Sequence, residues 1–419
     1  MGSALEWIWR EIRDMFTLDY WIPKGDKLLW IPIIILALSS LLFIYSSTGY
    51  LASRLNGGAM AYYLWKQIIF LIAGYVVIMV VQRRSFKAVI DYVPWFLLFG
   101  IGLMILAWIL GDAKNSAGRW IVLGPISFQP SEVVKLATIM FIARDISYNQ
   151  TAEGYNFSWK RMILPLFAIL LIFKDNISTA ILLSGTCFMM ICIGRLPWRQ
   201  IAKVVAIAIG GIAILVGSLL AIPDSTINAL KDNEVLKRIP TAQSRIKTFF
   251  DPVPLEEMEL QEIRDSQSIQ AQITVASGGV LGKGPGNSIQ GIKLPEVYSD
   301  FIFAIILEET GLWGMALIMI MYSIMLISAF RVLFKCKSLF LGLLVVGIVM
   351  CLLFQTIIHM FVCVGLFPVT GQTLPLLSKG GTSTLIVCLE LGILLGVSNM
   401  IQQEEQQQLA MNQSANNNE

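Results

Sequence analysis

Asp300 closes the stretch Leu294-Pro295-Glu296-Val297-Tyr298-Ser299-Asp300, and Phe301-Ile302-Phe303 then opens a long apolar run. A carboxylate where water meets hydrocarbon is partly desolvated, the setting in which it becomes a useful base towards a hydroxyl. The same position suits an ordinary N-cap, since aspartate ahead of an apolar helix accepts from free first-turn amides. A second group runs from Gly118-Arg119-Trp120 to Gln129-Pro130-Ser131-Glu132-Val133-Val134-Lys135. Pro130 fits a first helical turn, Gln129 or Ser131 can satisfy backbone donors there, and Glu132 and Lys135 then fall three apart on one face. An ionisable pair at membrane depth marks either a function or a structural ion pair, and the sequence leaves both open. Arg119 and Lys135 can offer cationic contacts to a phosphate-bearing lipid head group. Arg245 is one arginine among several and by itself says little. Glu308 and Glu309 read as structural partners of basic residues on other helices. His359, the one histidine, excludes a histidine triad or a multi-histidine metal site by count, and reads as a hydrogen-bonded interior residue. The six cysteines lie in or beside apolar runs with no CxxC pair, which points away from a disulfide framework and from a zinc cluster.

These residues need a membrane-embedded frame. Of 419 residues, 56% are hydrophobic and 14% charged, and the mean hydropathy is +0.70. Soluble domains carry roughly 25% charged residues, so the composition is that of an all-α polytopic membrane protein. A net charge of +3, scattered along the chain, argues against nucleic acid as a partner. Apolar stretches of crossing length lie at Trp30 to Leu51, Ala61 to Gln82, Tyr92 to Gly111, Asn176 to Gly194, Val204 to Pro223, Thr310 to Phe330 and Gly380 to Gln403. Ser338 to Ser378 has no charged residue and is too long for one crossing, so it reads as a helix to about Leu366 followed by a re-entrant turn at Pro368 and Gly371. Glu132 to Arg144 and Met162 to Phe173 read as short helices inside the bundle, which brings the expectation to ten transmembrane helices.

Positive charge orients the frame. Sixteen Lys and Arg fall in the segments placed inside and six in the short outer loops, which predicts cytoplasmic termini in the cytoplasmic (inner) membrane. Residues 1–27 read as a cytoplasmic amphipathic segment with Trp7, Trp9 and Phe16 at the interface, not as a signal peptide. Residues 28–403 form the membrane domain, and the low-complexity stretch 404–419 reads as a disordered cytoplasmic tail. Between helices 7 and 8, residues 224–300 form a large extracytoplasmic loop with 11 acids and 8 basic residues, and loops this long are usually functional.

Five segments in order, GRWIVLGPISFQPSEVVK, RIKTFFDP, QAQITVASGGVLGKGPGNSIQ, LPEVYSDFIFAIILEETG and GLFPVTGQTLPLLSKGGTS, closely resemble the SEDS family of peptidoglycan polymerases, whose members include FtsW, RodA and SpoVE. The resemblance spans about Leu28 to Gln403, and GKGPGNSIQ and the QTLP turn look more like the division member, FtsW. It implies a glycosyltransferase that polymerises lipid II at the outer face of the membrane, with Asp300 as the base. It implies a substrate site drawn from Arg119, Gln129, Ser131, Glu132, Lys135, Arg245 and Glu296, with positive charge for the departing diphosphate. It also implies a class B penicillin-binding protein transpeptidase and other divisome proteins as partners. No cofactor is fixed by the sequence, and a divalent cation, Mg or Mn, is left open. A lipid II flippase and an elongation-type, RodA-like polymerase are the competing readings. Departures include His359 and Cys363 where the family often has asparagine, and Lys379 where an aromatic or apolar residue is common.

Overall fold

The computed structural model describes residues 17–55, 60–84, 86–110, 121–123, 126–222, 243, 266–288, 300–369, 371–378 and 381–416. Its helices are α1 (Lys27–Leu55), α2 (Met60–Val81), α3 (Val93–Leu110), α4 (Pro130–Tyr148), α5 (Trp159–Asp175), α6 (Ile177–Ile193), α7 (Trp198–Ala221), α8 (Gln267–Gly278), α9 (Ile302–Lys335), α10 (Leu339–Cys363) and α11 (Thr382–Asn416). Two short antiparallel ribbons interrupt the all-α pattern: β1 (Ile121–Leu123) with β2 (Ile126–Phe128), and β3 (Gln150–Thr151) with β4 (Gly154–Tyr155). Among the described residues, six segments are long and apolar enough to cross a membrane: Lys27–Ser46, Leu64–Val81, Val89–Ile109, Ile302–Lys335, Leu339–Cys363 and Thr382–Ser414. The sequence segments at Glu132 to Arg144, Met162 to Phe173, Asn176 to Gly194 and Val204 to Pro223 are occupied by α4, α5, α6 and α7, which are not among those six.

The bundle is layered by side-chain chemistry. Every residue of α10 from Phe340 to Leu352 is buried, as expected of a helix that is apolar all round. Outer helices turn large apolar side chains outward, among them Trp65, Ile69, Trp95, Phe99 and Ile163, where hydrocarbon would meet them. The exception is α4. It is buried over most of its length although it carries Ser131, Glu132, Lys135, Thr138 and Asp145, so its polar groups must be satisfied inside the protein. Around this centre α10 packs on α4 and α9, α11 on α2, and α3 on α4. At the α2–α11 contact, Gly392 meets Val81 and Gly396 meets Phe86 and Gln82, small residues that allow close approach.

Between α4 and α5, Asp145 is held by the Tyr155 hydroxyl, by Asn149 and by an ion pair with Arg161 at 2.9 Å. Tyr155 N–H also bonds the Arg195 carbonyl at 3.3 Å, which clamps the ribbon to the α6–α7 turn. Burial first, then the bond to Asp145, push the Tyr155 phenol upward.

Three sequence expectations change. The low-complexity stretch is helical to Asn416, because a run of Gln, Glu, Ala, Leu and Met without Gly or Pro favours helix and continues one already nucleated. Within 224–300, residues 267–278 are the helix α8, packed on α9. In α9 the helix begins at Ile302, earlier than the charge-free window, since Glu308 and Glu309 are both buried in it. The expected amphipathic helix lies outside the described residues as far as Phe16.

Candidate functional site

Two charged clusters and one connecting segment make up the site. In the first, Gln129 occupies the N-cap of α4 and Pro130 its first turn, as the sequence suggests. Neither Gln129 nor Ser131 caps the helix, however: Gln129 makes no side-chain cap bond, and Ser131 Oγ is buried with no hydrogen-bond partner. The extended backbone of Gln129 sets the helix entry, and the missing proline N–H leaves one fewer donor to satisfy. Lys135 Nζ donates to Glu132 Oε2 at 2.7 Å and to Gln355 Oε1 of α10 at 3.3 Å, and the lysine is 1% exposed. Glu390 of α11 is also fully buried, acts electrostatically on Lys135, and has no hydrogen-bond partner for either oxygen.

The second cluster surrounds the start of α9. Phe301 holds the N-cap position of α9, and Asp300 stands one residue ahead of it. Asp300 is half-buried. A Cβ added at Gly371 would lie 3.4 Å from Asp300 Oδ2, and the charge of Asp300 acts on His359 and Cys363 of α10.

Residues 371–374 tie the clusters together. Gln355 Nε2 donates to the Thr373 carbonyl at 2.8 Å, His359 Nδ1 lies 2.7 Å from the Gln372 carbonyl, and Gln372 Nε2 donates to Thr179 of α6 at 2.5 Å. The connection therefore runs from Lys135 through Gln355, the 372–373 backbone and His359 to the surroundings of Asp300. Sequence reasoning proposed Asp300, Glu132 and Lys135 but missed Gln355, Gln372, Thr373 and Glu390. Two signals could have flagged them: the ionisable Glu390 inside a span, and the QTLP turn, which contains Gln372 and Thr373.

Behind Asp300, α9 breaks at Gly311, whose φ of 62° favours glycine. The break frees carbonyls, and a glycine-rich strap satisfies them: Lys283 N–H donates to the Glu308 carbonyl and Gly284 N–H to the Glu309 carbonyl, each at 2.8 Å. Lys283 Nζ reaches Glu308 Oε1 at 2.7 Å, and Ser277 and Ser288 donate to the same carboxylate at 3.1 and 2.5 Å. Among the described residues Glu308 thus pairs with the strap, while Glu309 accepts from Ser46 of α1. Arg119, Arg245 and Glu296 lie outside the described residues. Among the described residues no three His, Cys, Asp or Glu side chains gather as a metal-binding group.

The family model for FtsW, RodA and SpoVE, described as "Cell cycle protein", matches residues 26–403. The chain belongs to that family. Stage V sporulation protein E of Bacillus subtilis is 30% identical over 386 residues, covering 89% of this chain and 96% of that protein. A probable peptidoglycan glycosyltransferase FtsW of Aliivibrio salmonicida is 27% identical, covering 92% and 91%. Among solved structures, a chain from work on structural coordination of polymerization and crosslinking by a peptidoglycan synthase complex matches with a TM-score of 0.66 at 23% identity, over 90% of this chain and 98% of that one. The rod shape determining protein RodA of Thermus thermophilus matches with a TM-score of 0.60 at 21% identity, over 89% and 96%. As an FtsW/RodA/SpoVE family member with several membrane-length helices, the chain is a multi-pass membrane protein.

Proposed function

We propose that this chain is a peptidoglycan glycosyltransferase that polymerises lipid II into glycan strands for the septal wall of dividing cells. The observation that carries the site is the position of Asp300: half-buried at the head of α9, ahead of the N-cap, and joined through residues 371–374 to a buried Lys135. In family context, Asp300 deprotonates the 4-hydroxyl of the acceptor disaccharide, which attacks the anomeric carbon of the donor chain. The electron pair of the breaking C–O bond leaves on undecaprenyl diphosphate. Arg119, Lys135 and Arg245 supply positive charge for that group, and Gln129, Ser131, Glu132 and Glu296 complete the substrate site. A divalent cation, Mg or Mn, would add further positive charge at the diphosphate.

The same reading places ten crossings, both termini in the cytoplasm, residues 224–300 outside, and a single-pass class B penicillin-binding protein beside the bundle as activating partner. The test is purified chain with its cognate transpeptidase and lipid II. Lengthening glycan supports the proposal, whereas exchange of lipid II between leaflets with no polymer makes the chain a flippase and overturns it. Depletion in cells should give filaments, and rounded cells would assign the chain to elongation instead.

A further inference from the structure

His359 has no part in the reaction as described, yet it is anchored to Gln372, the neighbour of the Gly371 that faces Asp300 Oδ2. It is 1% exposed, and one turn further along α10 the Cys363 thiol bonds the backbone of Ala304 in the first turn of α9. Its Nδ1 lies 2.7 Å from the Gln372 carbonyl oxygen. A carbonyl only accepts, so Nδ1 carries the proton. A doubly protonated ring would put a full charge and a second, unsatisfied N–H in a dry interior, so the ring is neutral and Nε2 presents a lone pair. That Nε2 is buried and has no hydrogen-bond partner. The charge of Asp300 acts on the ring, and Gly371, next to the residue that anchors Nδ1, approaches Asp300 Oδ2.

We propose that His359 is a positioning residue for Asp300, its Nε2 accepting a hydrogen bond from the carboxyl group that glycosyl transfer leaves protonated. The inference rests on the reading of Asp300 as the base. In the transfer the acceptor O–H bond breaks, its oxygen bonds the donor anomeric carbon, and the anomeric bond to diphosphate breaks with its electron pair leaving on diphosphate. The proton rests on Asp300, and the new carboxyl O–H donates to Nε2 until product departs and the proton passes to water. Nδ1–H stays on Gln372 throughout and fixes the ring, so no second tautomer is needed.

Two near-isosteres separate this role from simple support of the 371–374 turn. His359→Asn sets an amide where Nδ1 lies, keeping the bond to Gln372 and losing the Nε2 acceptor. His359→Gln reaches the Nε2 position with its amide oxygen and gives up the bond to Gln372. Each is purified with the transpeptidase beside parent and Asp300→Asn, and polymerisation is measured across lipid II concentrations. The asparagine variant should lose on the order of tenfold or more in kcat, with KM within about twofold, while glutamine retains more activity despite the lower melting temperature. The reverse order of activities, or parental activity in both, overturns the role.

A measurement on the parent protein stands apart from variant folding. With a single histidine, 15N labelling gives one imidazole, and its Nε2 should show a pyridine-type signal that shifts in Asp300→Asn. A pyridine-type Nδ1 would overturn the proposal. Parental activity in Asp300→Asn would remove the base itself, whereas its loss together with the reversed isostere order would remove only the part played by His359.

Discussion

Burying Lys135 strips an ammonium of water, and the 2.7 Å bond to Glu132 offsets that cost only while both partners remain. Lys135→Met would strand Glu132 and remove the cation that acts on Glu390. We expect a loss of about 3–5 kcal/mol, read as a fall in melting temperature in detergent. Adding Glu132→Gln should recover part of it, and adding Glu390→Gln most of the rest. If Lys135 also holds diphosphate, the triple variant regains its melting temperature but not its polymerisation rate. Recovery of both together would make Lys135 purely structural. The pair itself was legible in the sequence, because a proline-started helix with Glu and Lys three apart can present them only on one face. The links that bind this pair to Asp300 were not, since they join side chains to the backbone carbonyls of Gln372 and Thr373, groups every residue type carries.

Among the elements, the strap and the broken helix α9 depend on each other. Gly278 packs its Cα against the Leu307 carbonyl and the Glu308 backbone so closely that no Cβ fits. Gly278→Ala should therefore push α8 off α9 and destabilise by about 1–3 kcal/mol, with a larger fall in activity, because the displaced segment carries Lys283 away from Glu308 and loosens the start of α9, which Asp300 precedes. Wild-type melting and activity in this variant would show that α8 can shift without consequence. A second element-level expectation concerns the clamp between α4 and α5. Because its pKa is raised in the folded protein, the Tyr155 phenol contributes stability that is complete below the ordinary tyrosine value of about 10 and is lost as pH climbs through the raised one. Tyr155→Phe should abolish that alkaline loss while lowering stability at neutral pH by about 1–3 kcal/mol through the bond withdrawn from Asp145. An unchanged alkaline melting profile would contradict it. Helix positions were readable from hydropathy wherever a charge-free window coincided with an element. Readability failed at α8, at the start of α9 and in residues 404–416, where charge or composition conceals helices that packing, a helix break or simple propagation maintains.

For the whole molecule, the proposed orientation puts the strap outside and the end of α11 inside. In a variant lacking the six native cysteines, Asn287→Cys should label with an impermeant thiol reagent in intact spheroplasts and Ser414→Cys only after lysis; both side chains are exposed. Labelling of Ser414→Cys alone in intact spheroplasts would turn the molecule over and remove Asp300 from the outer face. The central claim is that Asp300 is the base of a lipid II polymerase. Asn at this position keeps size and polarity, cannot accept the proton at neutral pH, and so separates chemistry from architecture. With Asp300→Asn purified beside the parent in complex with the transpeptidase, we predict equal accumulation, equal partner binding and a melting temperature near the parent's, with glycan synthesis reduced by about 10² to 10⁴. Glycan synthesis at the parental rate by this variant would contradict the account and return the search for the base to Glu296, Glu308 and Glu132.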